Sequence, residues 1–111
     1  MSECIFCKIA SKEINTKLIK DTEDYVSFND LNPQAPVHAL VIPKRHFSSL
    51  NELNDPEILS KLLEGARETA KKLGIQEGYR VVINTGVQAG QTVFHIHLHV
   101  LGGRDMLWPP G

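Results

Sequence analysis

The spacing of apolar residues changes character along the chain. Ile58, Leu59, Leu62, Leu63, Ala66, Ala70 and Leu73 recur three and four residues apart, which predicts a helix with one apolar stripe. Asp55 offers an N-cap carboxylate, Pro56 suits the first helical position, and Lys71, Lys72 and Gly74 mark the end. Glu57/Lys61 and Glu68/Lys72 are i,i+4 pairs expected on its wet side. Elsewhere the period shortens to two. Tyr25–Asp30 places Tyr25, Ser27 and Asn29 on one side and Val26, Phe28 and Asp30 on the other. Leu18–Lys20, His38–Ile42 (closed by Pro43), Tyr79–Asn84 and His95–Leu101 read as further strands, and Ile5–Lys12 as a short helix. Asn32–Pro36 is a loop whose two prolines cannot donate to a ladder. Five short strands, mostly with short connections, predict a largely antiparallel sheet under one long helix, an α+β architecture.

Composition narrows the class. A chain of 111 residues has room for one domain, expected over residues 1–111. With 41% hydrophobic and 23% charged residues it is globular rather than disordered. Twelve Lys+Arg against thirteen Asp+Glu give a net charge of -1, and no charged tail points to nucleic acid held by bulk charge. No apolar run approaches the ~20 residues of a membrane span. Met1–Ala10 lacks the apolar stretch of a secretory signal, so a cytoplasmic protein is expected. A chain this short buries roughly two thirds of its surface, which leaves room for dimerisation.

Five residues are histidine, and three of them fall at 95, 97 and 99. On a strand they share one face, about 6.6 Å from one to the next, while Ile96, Leu98 and Val100 face the helix stripe. Strand propensity does not favour histidine, so propensity leaves the trio unexplained. A solvent-facing strand is the bland reading, and a three-histidine zinc site a sharper one. Just upstream, Gly86–Thr92 is a glycine-bearing polar loop. Free backbone N–H groups there could approach an anion.

His95-Ile96-His97-Leu98-His99-Val100-Leu101 resembles the signature of the histidine triad (HIT) superfamily. Ile5–Ile9, Phe28–Asp30, Pro33–His38, Val41–Lys44, Gly78–Arg80, Asn84, Gly90–Thr92 and Trp108–Gly111 extend the resemblance, specifically to its Hint branch. That resemblance implies a homodimer with a continuous sheet and hydrolysis of purine nucleoside phosphoramidates, AMP or GMP joined to an amine. It makes His97 the nucleophile on phosphorus, which a neutral imidazole with one free nitrogen can be without a metal. It gives His99, Gly90, Gln91 and Thr92 to the phosphate and Asn84 to the phosphate or leaving group. Asp30 goes to the ribose, and Ile5, Phe6, Phe28 and Leu31 to the purine. His38 stands behind His97. The family usually has Ser where Thr92 stands; the hydroxyl is kept. Trp108 would reach the partner's active site, with the long helix and the Tyr79–Asn84 strand at the two-fold axis.

Cys4-Ile5-Phe6-Cys7 is a C-x-x-C pair. A disulfide is disfavoured in a reducing cytosol, and the βαβ setting of a redox motif is missing. Buried thiols are one reading. With the other histidines assigned by the resemblance, His46 and His95 remain to complete a Cys₂His₂ set with Cys4 and Cys7. That is the closed type typical of structural zinc, and the resemblance extends to relatives that carry such a zinc. No cofactor is expected for the chemical step. The other functions open at this point are a dinucleoside polyphosphate hydrolase or nucleotidyltransferase of the same superfamily, a nucleotide-binding scaffold with little turnover, and a zinc hydrolase using all three strand imidazoles.

Overall fold

Asp55 Oδ1 accepts the backbone N–H groups of Glu57 (3.0 Å) and Ile58 (3.3 Å), and the helix it caps, α2, spans Pro56–Lys72. The computed structural model describes residues 4–111; residues 1–3 of the expected domain lie outside that range. Within it, α1 (Ile5–Ala10) is followed by β1 (Leu18–Asp21), β2 (Tyr25–Asn29), β3 (Val37–Pro43), α2, β4 (Tyr79–Val82) and β5 (Leu98–Gly102). The strands form one sheet in the order β1-β2-β3-β5-β4, antiparallel at each pairing. β5 comes last in the chain yet lies between β3 and β4, which α2 connects. The expected α+β class, with one long and one short helix, is the one observed.

Strand alternation sorts the side chains onto two faces. Tyr25, Ala39, Val41, Leu98 and Val100, together with Ile96, join Ile58, Leu62, Ala66 and Ala70 of α2 in one buried cluster. Val26, Phe28, Leu40 and Ile42 join Phe6, Ile9 and Ala10 of α1 in another. Gly65 lets α2 approach the sheet, because a Cβ there would stand 2.9 Å from the Tyr25 ring. Thr69, polar within the apolar stripe, donates its hydroxyl to Ser27 Oγ at 2.9 Å. Leaving either buried hydroxyl without a partner would cost on the order of 1–3 kcal/mol.

The structure departs from the sequence reading at several edges. Leu63 is 51% exposed rather than part of the buried stripe. Lys61 pairs with Glu64 at 3.6 Å, and Lys72 Nζ donates to the Ile19 carbonyl at 2.7 Å, in place of the expected i,i+4 pairs. α1 stops at Ala10 because Lys12 takes a left-handed φ of 70°, a conformation that ends helices. β2 ends at Asn29 and β4 at Val82. β5 begins at Leu98, three residues later than expected. Its neighbour β3 ends in Pro43, which has no N–H to offer, and the Pro43 carbonyl accepts the His95 side chain at 2.9 Å. The Ile96 N–H goes instead to the Phe47 carbonyl (2.7 Å).

Candidate active site and metal centre

On the α1 face of the sheet a cavity of about 830 Å³ opens between α1, the ends of β2 and β3, and β5. It is lined by the apolar Ile5, Phe6, Ile9, Ile14, Phe28 and Leu40 and by the polar Asp30, His38, Thr92, His97 and His99. Phe6 meets Phe28 edge to face at 5.8 Å and His97 at 5.1 Å. The apolar lining and the imidazoles are therefore joined through one ring. A second hollow of about 650 Å³ lies around Ile75, Tyr79, Arg80 and Arg104. Arg80 and Arg104 are bonded there to the main-chain carbonyls of Leu107 and Asp105, and no imidazole lines it.

The imidazole protons are fixed by groups that can only donate or only accept. His97 Nδ1 lies 2.8 Å from the His95 carbonyl. A carbonyl only accepts, so Nδ1 carries the proton and Nε2 the lone pair. His38 Nδ1 accepts the Gln34 backbone N–H at 2.9 Å, so neutral His38 carries its proton on Nε2. That proton points to His99 Nδ1 at 2.9 Å, with Asp30 Oδ2 at 3.4 Å. His99 therefore accepts at Nδ1 and keeps a donor at Nε2. The rings of His97 and His99 are 5.0 Å apart. Burial holds His97 below the ordinary imidazole value. Burial, and then the neighbouring His97 and His38, push His99 down to about 4. Both are neutral near pH 7, one presenting a lone pair and the other an N–H.

His95 leaves this group, which corrects the expectation of three imidazoles side by side and removes the three-histidine zinc reading. The chain bends at residues 93–95, the ring is fully buried, and it does not line the cavity. Its Nε2–H is held by the Pro43 carbonyl, which leaves the lone pair on Nδ1. That atom lies 3.4 Å from Cys4 Sγ, 3.5 Å from Cys7 Sγ and 3.2 Å from His46 Nδ1. Cys7 Sγ and His46 Nδ1 are 3.3 Å apart. Tetrahedral zinc sets two nitrogens roughly 3.3 Å apart and a nitrogen and a sulfur about 3.6 Å apart. The four expected ligands fit that ion, and neither cysteine is in a disulfide. Asp30, His38 and His99 also converge, but the Gln34 N–H on His38 Nδ1 keeps a proton on the nitrogen a metal would need. That trio is a chain of hydrogen bonds rather than a metal site.

Of the residues expected around a nucleotide, Ile5, Phe6, Phe28, Asp30, Leu31, Gly90, Thr92, His97 and His99 line the cavity, with His38. Two do not. Gln91 is buried, and its amide is engaged elsewhere: Oε1 accepts the Gly86 N–H at 2.9 Å, and Nε2 donates to the carbonyls of Ser48 (2.7 Å) and Val93 (3.1 Å). Its side chain braces the loop. The N–H groups of Ala89, Gly90 and Gln91 are likewise bonded within the turn, so the expected cradle of free amides is not formed by them. Asn84 is not among the lining residues; its Nδ2 lies 4.0 Å from where a Gly90 side chain would begin. The sequence reading missed the α1–β1 connection: Ile14, Asn15, Thr16 and Lys17 also line the cavity. Ile9 was accessible to inference, four residues along the helix from Ile5. Leu40 was too, sharing the His38 face of β3.

The HIT domain family profile matches residues 11–106. The chain is 47% identical over 114 residues to the 14 kDa zinc-binding protein of Zea mays, covering 99% of this chain and 89% of that one. The crystal structure of a HIT family hydrolase from Legionella pneumophila superposes with a TM-score of 0.93 at 46% identity, covering 98% of this chain and 100% of that one. The histidine triad nucleotide-binding protein of Candida albicans gives a TM-score of 0.86 at 35% identity, covering 94% and 77%.

Proposed function

This chain belongs to the HIT domain family, and on that footing we propose that it is a nucleotidyl hydrolase of the Hint branch, cleaving purine nucleoside phosphoramidates through a nucleotide bound to His97. The reading is carried by one observation: His97 Nδ1–H is held by the His95 carbonyl, so the lone pair of Nε2 is the one available to phosphorus. The purine lies among Ile5, Phe6, Phe28 and Leu31, and Asp30 takes the ribose hydroxyls. His99 and the Thr92 hydroxyl take the phosphoryl oxygens.

His97 Nε2 forms a bond to phosphorus as the P–N bond breaks. His99 is neutral in the empty cavity and gains a proton when the phosphate anion arrives beside it. It gives that proton to the departing amine. Water then attacks phosphorus and passes a proton back to His99, the P–His97 bond breaks, and the mononucleotide leaves. His38, held by Gln34, turns its Nε2–H from His99 to Asp30 Oδ2, 3.4 Å away, while His99 carries the extra proton, and returns it to His99 Nδ1 once that proton has left. Zinc, when bound by Cys4, Cys7, His46 and His95, supplies a structural clamp and takes no part in these steps.

The chain works as one cytoplasmic domain and as a homodimer about the exposed edge of β4. In support, Val81 on β4 and Leu63 on α2 remain exposed, and Arg80 of β4 ties down the tail through the Leu107 carbonyl (2.8 Å). Trp108, 83% exposed, then extends toward the partner's cavity. The test is mass spectrometry of protein quenched in alkaline denaturant, which spares a P–N bond to imidazole, after mixing with an AMP-amine. AMP is expected on the peptide containing His97. His97→Asn should form no adduct and lose roughly 10³-fold or more in turnover. Binding without any adduct would sink the enzymatic reading.

A further inference from the structure

We propose that the Cys4–Cys7–His46–His95 cluster sets the state of the nucleophile, with His95 and His46 acting as positioning residues for His97. The proposal rests on the reading of His97 given above. The sheet does not hold His97 directly. The ladder begins at Leu98, and residues 93–95 form a bend. What fixes the His95 carbonyl, and with it the proton on His97 Nδ1 at 2.8 Å, is the grip on residue 95 itself. The neighbouring Ile96 N–H is held at 2.7 Å by Phe47. The His95 ring is held at both nitrogens, by the Pro43 carbonyl (2.9 Å) on one side and by the cluster on the other.

Losing the cluster removes one of those two ring anchors. The His95 carbonyl can then turn, and His97 can move its proton to Nε2. That tautomer has no lone pair facing the cavity. The expected damage is therefore to the chemical step and not to nucleotide binding. Cys4 and Cys7 are poor places to test this, because they flank Ile5, Phe6 and Ile9, which line the cavity. His46 is exposed and does not line it, yet its Nδ1 lies 3.2 Å from His95 Nδ1.

The experiment compares wild type, His46→Ala and His46→Cys, the last restoring a fourth ligand. Three readouts are taken: zinc per chain, the His97 tautomer by two-dimensional ¹H–¹⁵N spectra of labelled imidazoles, and the separate values of kcat and KM for an AMP-amine. In His46→Ala, His97 should become a mixture of tautomers, and kcat should fall about tenfold or more with KM nearly unchanged. His46→Cys should recover zinc, the single Nδ1–H tautomer and kcat together. A metal-free, folded His46→Ala with the wild-type tautomer and kcat would overturn the proposal. If His46→Ala does not fold, chelator-stripped wild type takes its place. Unfolding of both would show that the cluster supports the whole fold, which also overturns a specific positioning role. A wild type that forms no adduct defeats the nucleophile instead and leaves the tautomer comparison intact.

Discussion

His38 Nε2 stands 2.9 Å from His99 Nδ1, and the direction of that bond is dictated by Gln34, whose backbone N–H occupies the other nitrogen of His38. Replacing His38 by Ala removes the donor without touching Nε2 of His99. Turnover should fall about tenfold, the equivalent of one hydrogen bond of roughly 1–1.5 kcal/mol. Stopped-flow measurement of amine release checks this; an unchanged rate would show that His99 needs no such hold.

Acid should weaken the fold through the same ring. His99 is pushed down to about 4 by burial and by His97 and His38, whereas in the unfolded chain it titrates near 6.5. Between those values the unfolded state binds the extra proton, so stability is complete above pH 6.5 and declines as pH falls toward 4. His97, lowered by burial, acts in the same direction. Melting curves from pH 7 to 4.5 should slope downward, and His99→Asn should slope less. Parallel slopes would remove His99 as a cause.

Gln91 is expected to matter for stability more than for phosphate. Gln91→Ala leaves the Gly86 N–H and the carbonyls of Ser48 and Val93 without their present partners. Urea denaturation should show a loss of about 2–4 kcal/mol. A variant as stable as wild type with a sharply raised KM would return Gln91 to the phosphate role that its place in the sequence suggested.

Purified protein should contain one zinc per chain, held by Cys4, Cys7, His46 and His95. Cys4→Ala should lose the metal and melt at least ~4–8 °C lower, the shift that about 1 kcal/mol produces in a domain of this size. Metal analysis and calorimetry read both; a metal-free wild type with an unchanged melting temperature in Cys4→Ala would dismiss the metal centre.

The helix and its cap were legible because Asp55, Pro56 and the apolar stripe state one local rule each. The pairing of His97 with His99 was legible because alternation continues into β5. The separate fate of His95 was not. A period of two presumes a strand, and whether a strand begins depends on a partner distant in sequence. Here the partner ends in Pro43, whose carbonyl takes a side chain. The bracing by Gln91 was hidden for a related reason: Ser48 lies 43 residues away, and nothing near the loop announces it. Nor does any local pattern announce that residues 14–17 fold back over the cavity.

The position of β5 has a consequence for biosynthesis. The strand bearing His99 is made after every other strand, yet it enters the middle of the sheet, pairing with β3 on one side and β4 on the other. A nascent chain on the ribosome must hold two separate, raw β-edges until that segment emerges, a costly long-range closure. Completing the architecture and assembling the imidazoles are the same event, so a half-translated protein can be neither folded nor prematurely reactive.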